Sequence, residues 1–345
     1  MVHDWVLYIA AFSTAFAISN VMTPVARKLS LKLGAIDMPK KRGMHHKPMP
    51  RMGGIAIVVG FMATVLLLYN FVEYSDVKKL IGFMIGACVI VVLGMVDDVK
   101  NLPAKFKFGV QIIAALIPVM FGVRIHVVMW PVTYALLKLS IPITVIWIVG
   151  LTNAVNLIDG LDGLAAGVSS IAAICVMVLC ILTGDETAVV LTASLAGSCL
   201  GFLPRNFNPA EIFMGDTGAT FLGYTLAVTS ILGVFKGYAM IALMVSVLAV
   251  GFPIFDTLFA MTRRAAKGQP IMQADRGHLH HKLIDRGFSQ KQAVMILYGI
   301  SVLCGLVAIF IALKDAKTVV VVLFAVLVLS LLVYFVNHRW RNKDE

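Results

Sequence analysis

Two adjacent carboxylates, Asp97 and Asp98, stand at the end of an apolar run in the stretch GMVDDVKN. Burying a charged side chain in an apolar segment is costly, so such residues are expected to be functional. Two neighbouring carboxylates also repel each other, which raises the pKa of one of them unless a cation neutralises the pair. The pair therefore predicts a bound cation, and Lys100, Lys105 and Lys107 follow directly.

A second polar cluster, NAVNLIDGLDGLA, carries Asn153, Asn156, Asp159 and Asp162 at intervals of three residues. This spacing places the four side chains along one side of a helix or of a loop that enters a helix. Two amides and two carboxylates in an otherwise apolar stretch predict a site. Capping of the following helix by Asp159 or Asp162 is an alternative that stays open for one of the two.

A third carboxylate, Asp216, lies in FMGDTG, immediately before another apolar run. Asp-Thr-Gly in that position is also typical of a helix N-cap. A functional role is favoured because this is the third carboxylate group that is expected at the same membrane face.

A fourth segment is basic and rich in histidine. Its candidates for contacting an anion are Arg263, Arg264, Arg276, His278, His280 and His281. Cationic neighbours and the lack of cysteine make this a poor zinc site, whereas Arg, Lys and His suit a phosphate. Mg²⁺ is typically held by one or two carboxylates together with phosphate oxygens of a substrate. The four segments together predict an enzyme that acts on a diphosphate.

The composition identifies the elements that must position these residues. Of 345 residues, 60% are hydrophobic and 14% are charged, whereas soluble domains contain about 25% charged residues. Segments able to cross the roughly 30 Å hydrocarbon layer as helices begin near residues 5, 53, 79, 108, 140, 164, 187, 218, 239, 294 and 318. We therefore predict an all-α integral membrane protein, one polytopic domain over residues 1–345 with about eleven (ten or eleven) transmembrane helices.

The basic residues predict how the helices are oriented. Of 29 Lys and Arg residues, 22 fall in the segments 27–52, 97–107, 156–163, 204–217, 261–293 and 337–345. The positive-inside rule assigns these segments to the cytoplasm, which puts the N-terminus outside, the C-terminus inside and the polar clusters on the cytoplasmic face. The net charge of +11 has two open explanations, attraction to anionic lipid and steering of an anionic substrate. No nucleic-acid partner is expected.

Five motifs give the chain a resemblance over nearly its whole length to the polyprenyl-phosphate N-acetylhexosamine-1-phosphate transferases. They are RMGGIAI at 51–57, GMVDDVKNLPAKFKFGVQ at 94–111, NAVNLIDGLDGLA at 153–165, FMGDTG at 213–218 and DRGHLHHKL at 275–283. The resemblance implies an enzyme of the bacterial cytoplasmic membrane that moves a sugar 1-phosphate from a UDP-sugar to undecaprenyl phosphate and releases UMP. It also implies Mg²⁺, with Mn²⁺ as the alternative metal, and suggests a homodimer.

The resemblance further implies roles for individual catalytic candidates. Asp216 resembles the main metal ligand, with Asn156 close to the metal or the diphosphate. Asp97 resembles the residue that engages the lipid phosphate, and Asp98 resembles its partner at the metal or phosphate site. Lys107 is similar to a lysine that binds the diphosphate.

The remaining candidates are assigned to the substrate in the same way. Phe213 and Asp162 resemble residues that hold uracil, and the three histidines with Arg276 resemble the part of the site that contacts the sugar phosphate. The other polar residues expected to bind substrate are Asn153, Asp159, Arg263 and Arg264.

HLHH and the spacing of DDVKNLPAKFKFGVQ resemble the branch that uses UDP-GlcNAc for teichoic acid, O-antigen (the polysaccharide of lipopolysaccharide) or related cell-wall polymers. The peptidoglycan branch, which transfers phospho-MurNAc-pentapeptide, usually has three consecutive histidines and is the alternative. A multispan transporter is the alternative of another class, but it would place ionisable groups near the middle of its helices. DGLDGLAAG could also suggest a CDP-alcohol phosphatidyltransferase, yet the Ala-Arg pair and downstream aspartates of that motif are missing. A scaffold without catalysis would have no reason to gather these residues.

Overall fold

The computed structural model describes residues 4–38, 48–72, 76–125, 133–232, 283–284 and 286–312. In these ranges the regular structure consists of α-helices, one 3₁₀ turn, Tyr69–Phe71, and two short strands, all joined by loops. The helices are α1 (Trp5–Leu33), α2 (Gly54–Leu67), α3 (Val77–Lys100), α4 (Ala104–Met120), α5 (Thr133–Ile158), α6 (Leu164–Thr183), α7 (Glu186–Asn206), α8 (Gly215–Leu232) and α9 (Gln290–Ala312). The strands β1 (Ile36–Asp37) and β2 (Met49–Pro50) pair antiparallel between α1 and α2.

Six of the described helices are long and apolar enough to cross a membrane: α1, α3, α5, α6, α7 and α9. This confirms the prediction of a helical protein with several membrane spans. Helices α2, α4 and α8 coincide with predicted spans but are not among the six. The spans predicted near residues 239 and 318 lie outside the described residues, so the total of eleven and the orientation of the termini remain predictions.

Side-chain and glycine caps set several helix ends. Asp76 accepts hydrogen bonds from the N–H groups of Lys78 and Lys79 at the start of α3, and Asp185 accepts one from Ala188 at the start of α7. Such carboxylates satisfy N–H groups that have no partner within the helix. Helix α1 ends at Gly34, whose φ of +71° favours glycine.

Helices α2, α3 and α8 share an aromatic core. Phe61 of α2 packs edge-to-face on Phe83 of α3 and on Phe221 of α8, with ring centroids 5.9 and 5.6 Å apart. Tyr224 of α8 donates a hydrogen bond to the Phe83 carbonyl oxygen over 3.1 Å. This core fixes the three helices whose ends build the site described below.

The polar segments predicted for the cytoplasmic side meet at one end of the bundle. The loop before α2 bonds to the loop before α8 through Phe213 N and Pro50 O. The loop between α5 and α6 reaches the loop after α7 through Asp162 and Asn208, and Asn208 also bonds to Gln290 of α9. Segment 97–107 joins them through Asp98, which accepts a hydrogen bond from Asp216 N. The described parts of five predicted cytoplasmic segments therefore lie at a common face.

Candidate active site

The centre of the site is an ion-paired triad contributed by three helices. The Nζ atom of Lys107 lies 2.8 Å from Oδ2 of Asp97 and 2.7 Å from Oδ2 of Asp216. The Asp97 side chain is 9% exposed, whereas those of Lys107 and Asp216 are 24% and 26% exposed. The predicted cation beside the carboxylates is thus present as a lysine ammonium that bridges two of them.

A tight turn between α3 and α4 explains the ten-residue spacing of Asp97 and Lys107. Asn101 ends α3 with a φ of +50°, and its N–H donates to the Asp97 carbonyl oxygen over 2.8 Å. The N–H of Leu102 then donates to Oδ1 of Asp97 over 2.6 Å. Helix α4 starts three residues after Asn101, so its first turn brings Lys107 back over the end of α3.

Asp98 bonds to the backbone of α8 and caps that helix from a different one, α3. Its Oδ1 atom accepts from Asp216 N over 2.9 Å, and its Oδ2 atom accepts from the N–H and the hydroxyl of Thr217 over 3.0 and 2.5 Å. A carboxylate at a helix N-terminus is favoured by the helix dipole and by the unsatisfied N–H groups there. The metal or catalytic role predicted for Asp98 remains a prediction.

The same contacts show that Asp216 is not the N-cap of α8. Asp216 belongs to the first turn of α8, and the cap comes from Asp98. The side chain of Asp216 is left to contact Lys107. The capping alternative for this residue is therefore wrong, and its carboxylate is available for chemistry.

Glycines in two of the motifs allow α2, α3 and α8 to converge. Gly215 has a φ of +71°, and a Cβ atom there would lie 1.8 Å from the carbonyl oxygen of Arg51. A Cβ atom on Gly54 would lie 2.1 Å from the backbone nitrogen of Gly218. The loops also pair through backbone hydrogen bonds from Gly53 N and Gly54 N to the carbonyl oxygens of residues 213 and 214. RMGG and FMGDTG are thus two sides of one junction.

Arg51 is a residue of the site whose role the sequence did not reveal. Its guanidinium donates to the carbonyl oxygens of Asp98 and Asp97 over 2.7 and 3.2 Å and to Oδ1 of Asn101 over 2.6 Å. These are the last carbonyl groups of α3, where a cation is favourable. The backbone N–H of Arg51 donates to the hydroxyl of Ser30 in α1. In the sequence, Arg51 is marked only by its place at the start of RMGGIAI.

The two predicted amide residues, Asn153 and Asn156, lie near the end of α5. Nδ2 of Asn153 donates to Oε1 of Gln111 over 2.6 Å, and Gln111 lies one helical turn beyond Lys107 on α4. Asn156 lies one turn further along α5 with a partly exposed side chain. Helix α5 therefore contacts α4 through a polar pair that lies one turn from Lys107, although Gln111 itself was not among the predicted residues.

Asp159 and Asp162 occupy different surroundings in the loop between α5 and α6. Neither caps α6, because the N-cap residue of that helix is Gly163, which makes no side-chain capping bond. Oδ2 of Asp162 accepts from Asn208 Nδ2 and from Ala210 N over 3.0 and 3.1 Å, and the side chain is buried. The structure thus ties Asp162 to the loop after α7, and its predicted contact with uracil is not tested.

The pKa of Asp159 is raised to about 8. Burial of the carboxyl group is the largest cause, and the negative charges of Asp216, Asp98 and Asp162 add to it. Between its ordinary pKa of 3.8 and about 8, the folded protein holds a proton that the unfolded chain has released. The free energy of unfolding therefore falls as pH rises through that window.

We expect Asp159→Asn to make the thermal midpoint of the metal-free protein less dependent on pH between about 5 and 8, because this proton difference is lost. Tryptophan fluorescence of the detergent-solubilised protein would measure the midpoints. An identical fall of the midpoint in the wild type and in the variant would contradict the assignment.

Phe213 is partly exposed in the loop before α8, and its backbone N–H donates to Pro50 O over 2.8 Å.

The predicted site residues of the basic segment lie outside the described residues: Arg263, Arg264, Arg276, His278, His280 and His281. Their predicted contact with the sugar phosphate stays a prediction.

The carboxylates of the triad fit a magnesium ion that is completed by substrate. Among the described residues, no group of three or more His, Cys, Asp and Glu side chains is arranged to hold a metal. Mg²⁺ usually takes one or two protein carboxylates, with waters and substrate phosphates as further ligands. The Oδ2 atoms of Asp97 and Asp216 already meet at one cation, the ammonium of Lys107.

The sequence is similar to those of known proteins, and the similarity includes the residues of the site. Residues 80–234 match the family described as glycosyl transferase family 4, a range that contains the triad and the loop of Asp159. A probable undecaprenyl-phosphate N-acetylglucosaminyl 1-phosphate transferase of Bacillus subtilis is 38% identical over 324 residues, covering 93% of this chain and 88% of the relative.

Two further relatives have the same type of name. A decaprenyl-phosphate N-acetylglucosaminephosphotransferase of Mycobacterium tuberculosis is 35% identical, with 83% of this chain and 78% of the relative covered. An undecaprenyl-phosphate alpha-N-acetylglucosaminyl 1-phosphate transferase of Haemophilus influenzae is 26% identical, with 99% and 95% covered. The similarity thus extends over nearly the whole chain.

Proposed function

Since this chain belongs to the polyprenyl-phosphate hexosamine-1-phosphate transferases of glycosyl transferase family 4, we propose that it transfers N-acetylglucosamine 1-phosphate from UDP-GlcNAc to undecaprenyl phosphate. The reaction releases UMP at the cytoplasmic face of a bacterial membrane and begins the synthesis of a cell-envelope glycopolymer. The observation that carries the proposal is the meeting of Asp97, Lys107 and Asp216 at one end of the bundle.

In the proposed reaction, an oxygen of the lipid phosphate attacks the β-phosphorus of the donor. The bond from that phosphorus to the bridging oxygen breaks, and UMP leaves with the electron pair. A phosphate monoester with a second pKa of about 6 is largely dianionic at neutral pH, so Asp97 orients the nucleophile without having to be a strong base. A two-step route through an aspartyl-phosphate is the alternative.

The residues of the triad have separate tasks in this proposal. Asp216 and Asp97 would hold Mg²⁺, which supplies neutralisation of the charge that develops on the leaving UMP. Lys107, one turn into α4, contacts the donor diphosphate. Arg51 and Asp98 hold the ends of α3 and α8 so that the two metal-binding carboxylates converge.

The position of the triad also argues against the transporter alternative. Asp97 lies in the last turn of α3, and Lys107 and Asp216 lie in the first turns of α4 and α8. A transporter is expected to bind its substrate near the middle of the membrane, at interrupted helices. Ionisable groups gathered at helix ends fit a reaction between a soluble donor and a lipid phosphate.

The choice of sugar is tested by offering two donors. Purified protein with undecaprenyl phosphate and Mg²⁺ would receive either UDP-GlcNAc or UDP-MurNAc-pentapeptide, and the released nucleotide would be measured. We expect turnover with UDP-GlcNAc alone. Turnover with the pentapeptide donor alone would move the protein to the peptidoglycan branch, and turnover with neither would contradict both assignments.

Phe213 provides a test of the donor site. We expect Phe213→Ala to raise the KM for UDP-GlcNAc about tenfold, because base–aromatic stacking is worth about 1–3 kcal/mol, while the KM for undecaprenyl phosphate changes little. Steady-state kinetics with each substrate varied in turn would measure this. Phe213→Tyr, which keeps the ring, is the matched control. An equal rise in both KM values would argue against stacking on uracil.

A further inference from the structure

We infer that Lys107 is a resident counter-cation of the metal site, which Mg²⁺ must displace before the donor can be bound productively. The inference rests on the proposed function, because it takes Asp97 and Asp216 as the carboxylates that hold the metal. It adds a second role to the lysine: the ammonium neutralises the empty site and then moves to the diphosphate.

The ammonium contacts carboxylate oxygens that a metal could use. Oδ1 of Asp97 accepts the Leu102 N–H over 2.6 Å and is thereby engaged in the turn. Oδ2 of Asp97 is left to face Asp216, and Lys107 contacts it over 2.8 Å. The contact to Asp216 is likewise made at a single oxygen, Oδ2, over 2.7 Å. Among the described ion pairs, those of Asp97 and Asp216 are both made with Lys107.

Lysine and metal cannot share these oxygens. Mg²⁺ binds carboxylate oxygens at about 2.0–2.1 Å, and Asp97 could offer it only the Oδ2 atom that Nζ of Lys107 now contacts, because Oδ1 is engaged by Leu102. An ammonium held at the same oxygens would be strongly repelled by the divalent ion. Lysine has a flexible stem of four carbons, and Lys107 is 24% exposed, so its head group has room to move away.

The exchange couples the metal to the donor. An ammonium that has lost both carboxylates is no longer neutralised and attracts an anion. A diphosphate that binds it would prevent its return to the carboxylates and so tighten metal binding, and reciprocity requires that the metal tighten donor binding by the same factor.

The first test is Mn²⁺ binding to metal-free protein in detergent, followed by electron paramagnetic resonance without donor or acceptor. We expect Lys107→Met to bind Mn²⁺ at least tenfold more tightly than the wild type, because the internal competitor is gone. Lys105→Met is the matched control. It removes the same charge from an exposed position of the same helix and should keep the wild-type affinity.

Each outcome of this titration has a distinct meaning. Equal affinity in the wild type and in Lys107→Met would overturn the exchange, while metal-dependent turnover of the wild type would leave the proposed function standing. Equal tightening in both lysine variants would reduce the effect to net charge and also overturn the exchange. No Mn²⁺ binding by any of the proteins would also overturn the exchange, while the metal assignment, in which substrate phosphates complete the coordination, would be decided by the metal dependence of turnover.

A second measurement uses the wild type alone and does not depend on whether the variant folds. A brief pulse of acetic anhydride labels free amines, and mass spectrometry compares Lys107 with Lys105 in the same digest. We expect saturating Mg²⁺ to raise the labelling of Lys107 relative to Lys105 several-fold, because the ammonium leaves its carboxylates. An unchanged ratio would contradict the exchange.

Discussion

Asp216→Asn is expected to lower kcat by about a thousandfold, which corresponds to roughly 4 kcal/mol of lost transition-state stabilisation. An amide cannot supply the negative charge that holds Mg²⁺, and it also removes one of the two ion pairs of Lys107. Folding should be preserved, because the backbone N–H of residue 216, and not its side chain, bonds to Asp98. Turnover and thermal midpoint would be measured on the same preparation.

The control for this variant is Asp37→Asn, which removes the same charge from β1 at the same end of the bundle. We expect its turnover to remain close to that of the wild type. Normal turnover of Asp216→Asn would contradict the assignment of Asp216 as a metal ligand. Loss of its thermal transition would instead show that Asp216 is needed for folding.

Gly215→Ala is expected to have the second largest effect. Its backbone φ of +71° costs a residue with a side chain about 1–2 kcal/mol. The new Cβ atom would also lie 1.8 Å from the Arg51 carbonyl oxygen and 2.7 Å from both carboxylate oxygens of Asp98. The junction must open, and a displacement of about 1 Å at a catalytic group can cost about a hundredfold in rate. We therefore expect at least that loss of turnover, together with a lower thermal midpoint.

Gly109→Ala is the matched control for this substitution. Gly109 lies in α4, and a Cβ atom there would meet no heavy atom within 4 Å. Alanine in an exposed helix is favoured over glycine by about 0.5–1 kcal/mol, so this variant should retain turnover and be at least as stable as the wild type. Wild-type turnover in Gly215→Ala would show that the junction tolerates a side chain and that its close approach does not position Asp216.

The sequence singled out the three members of the triad as site residues, although not their ion pairing, because each carries a signal that a single chain displays. A carboxylate at the end of an apolar run is conspicuous, and the motifs around Asp97, Lys107 and Asp216 are specific in order and spacing. The meeting of these motifs at one face follows from helices that alternate in direction, and the structure confirms it for the described residues.

Roles that depend on the packing of distant elements could not be predicted. Asp98 caps a helix that starts 117 residues later in the chain, and nothing in GMVDDVKN distinguishes its task from that of Asp97. The contact of Arg51 with the end of α3 likewise depends on a loop that crosses between helices. Hydropathy located the helices but overestimated the length of two of them. Helices α2 and α4 have 14 and 17 residues, fewer than the roughly 20 that a membrane-spanning helix needs.

The most direct test of the proposed function follows the β-phosphate of the donor. Purified protein would be incubated with undecaprenyl phosphate and UDP-GlcNAc labelled in that phosphate, with Mg²⁺ or with a chelator. We predict that the label moves into the lipid fraction, that UMP is released in equal amount, and that both events require the metal. Release of UDP, with the label retained on the nucleotide, would mean that the sugar is transferred without its phosphate and would contradict the proposed reaction.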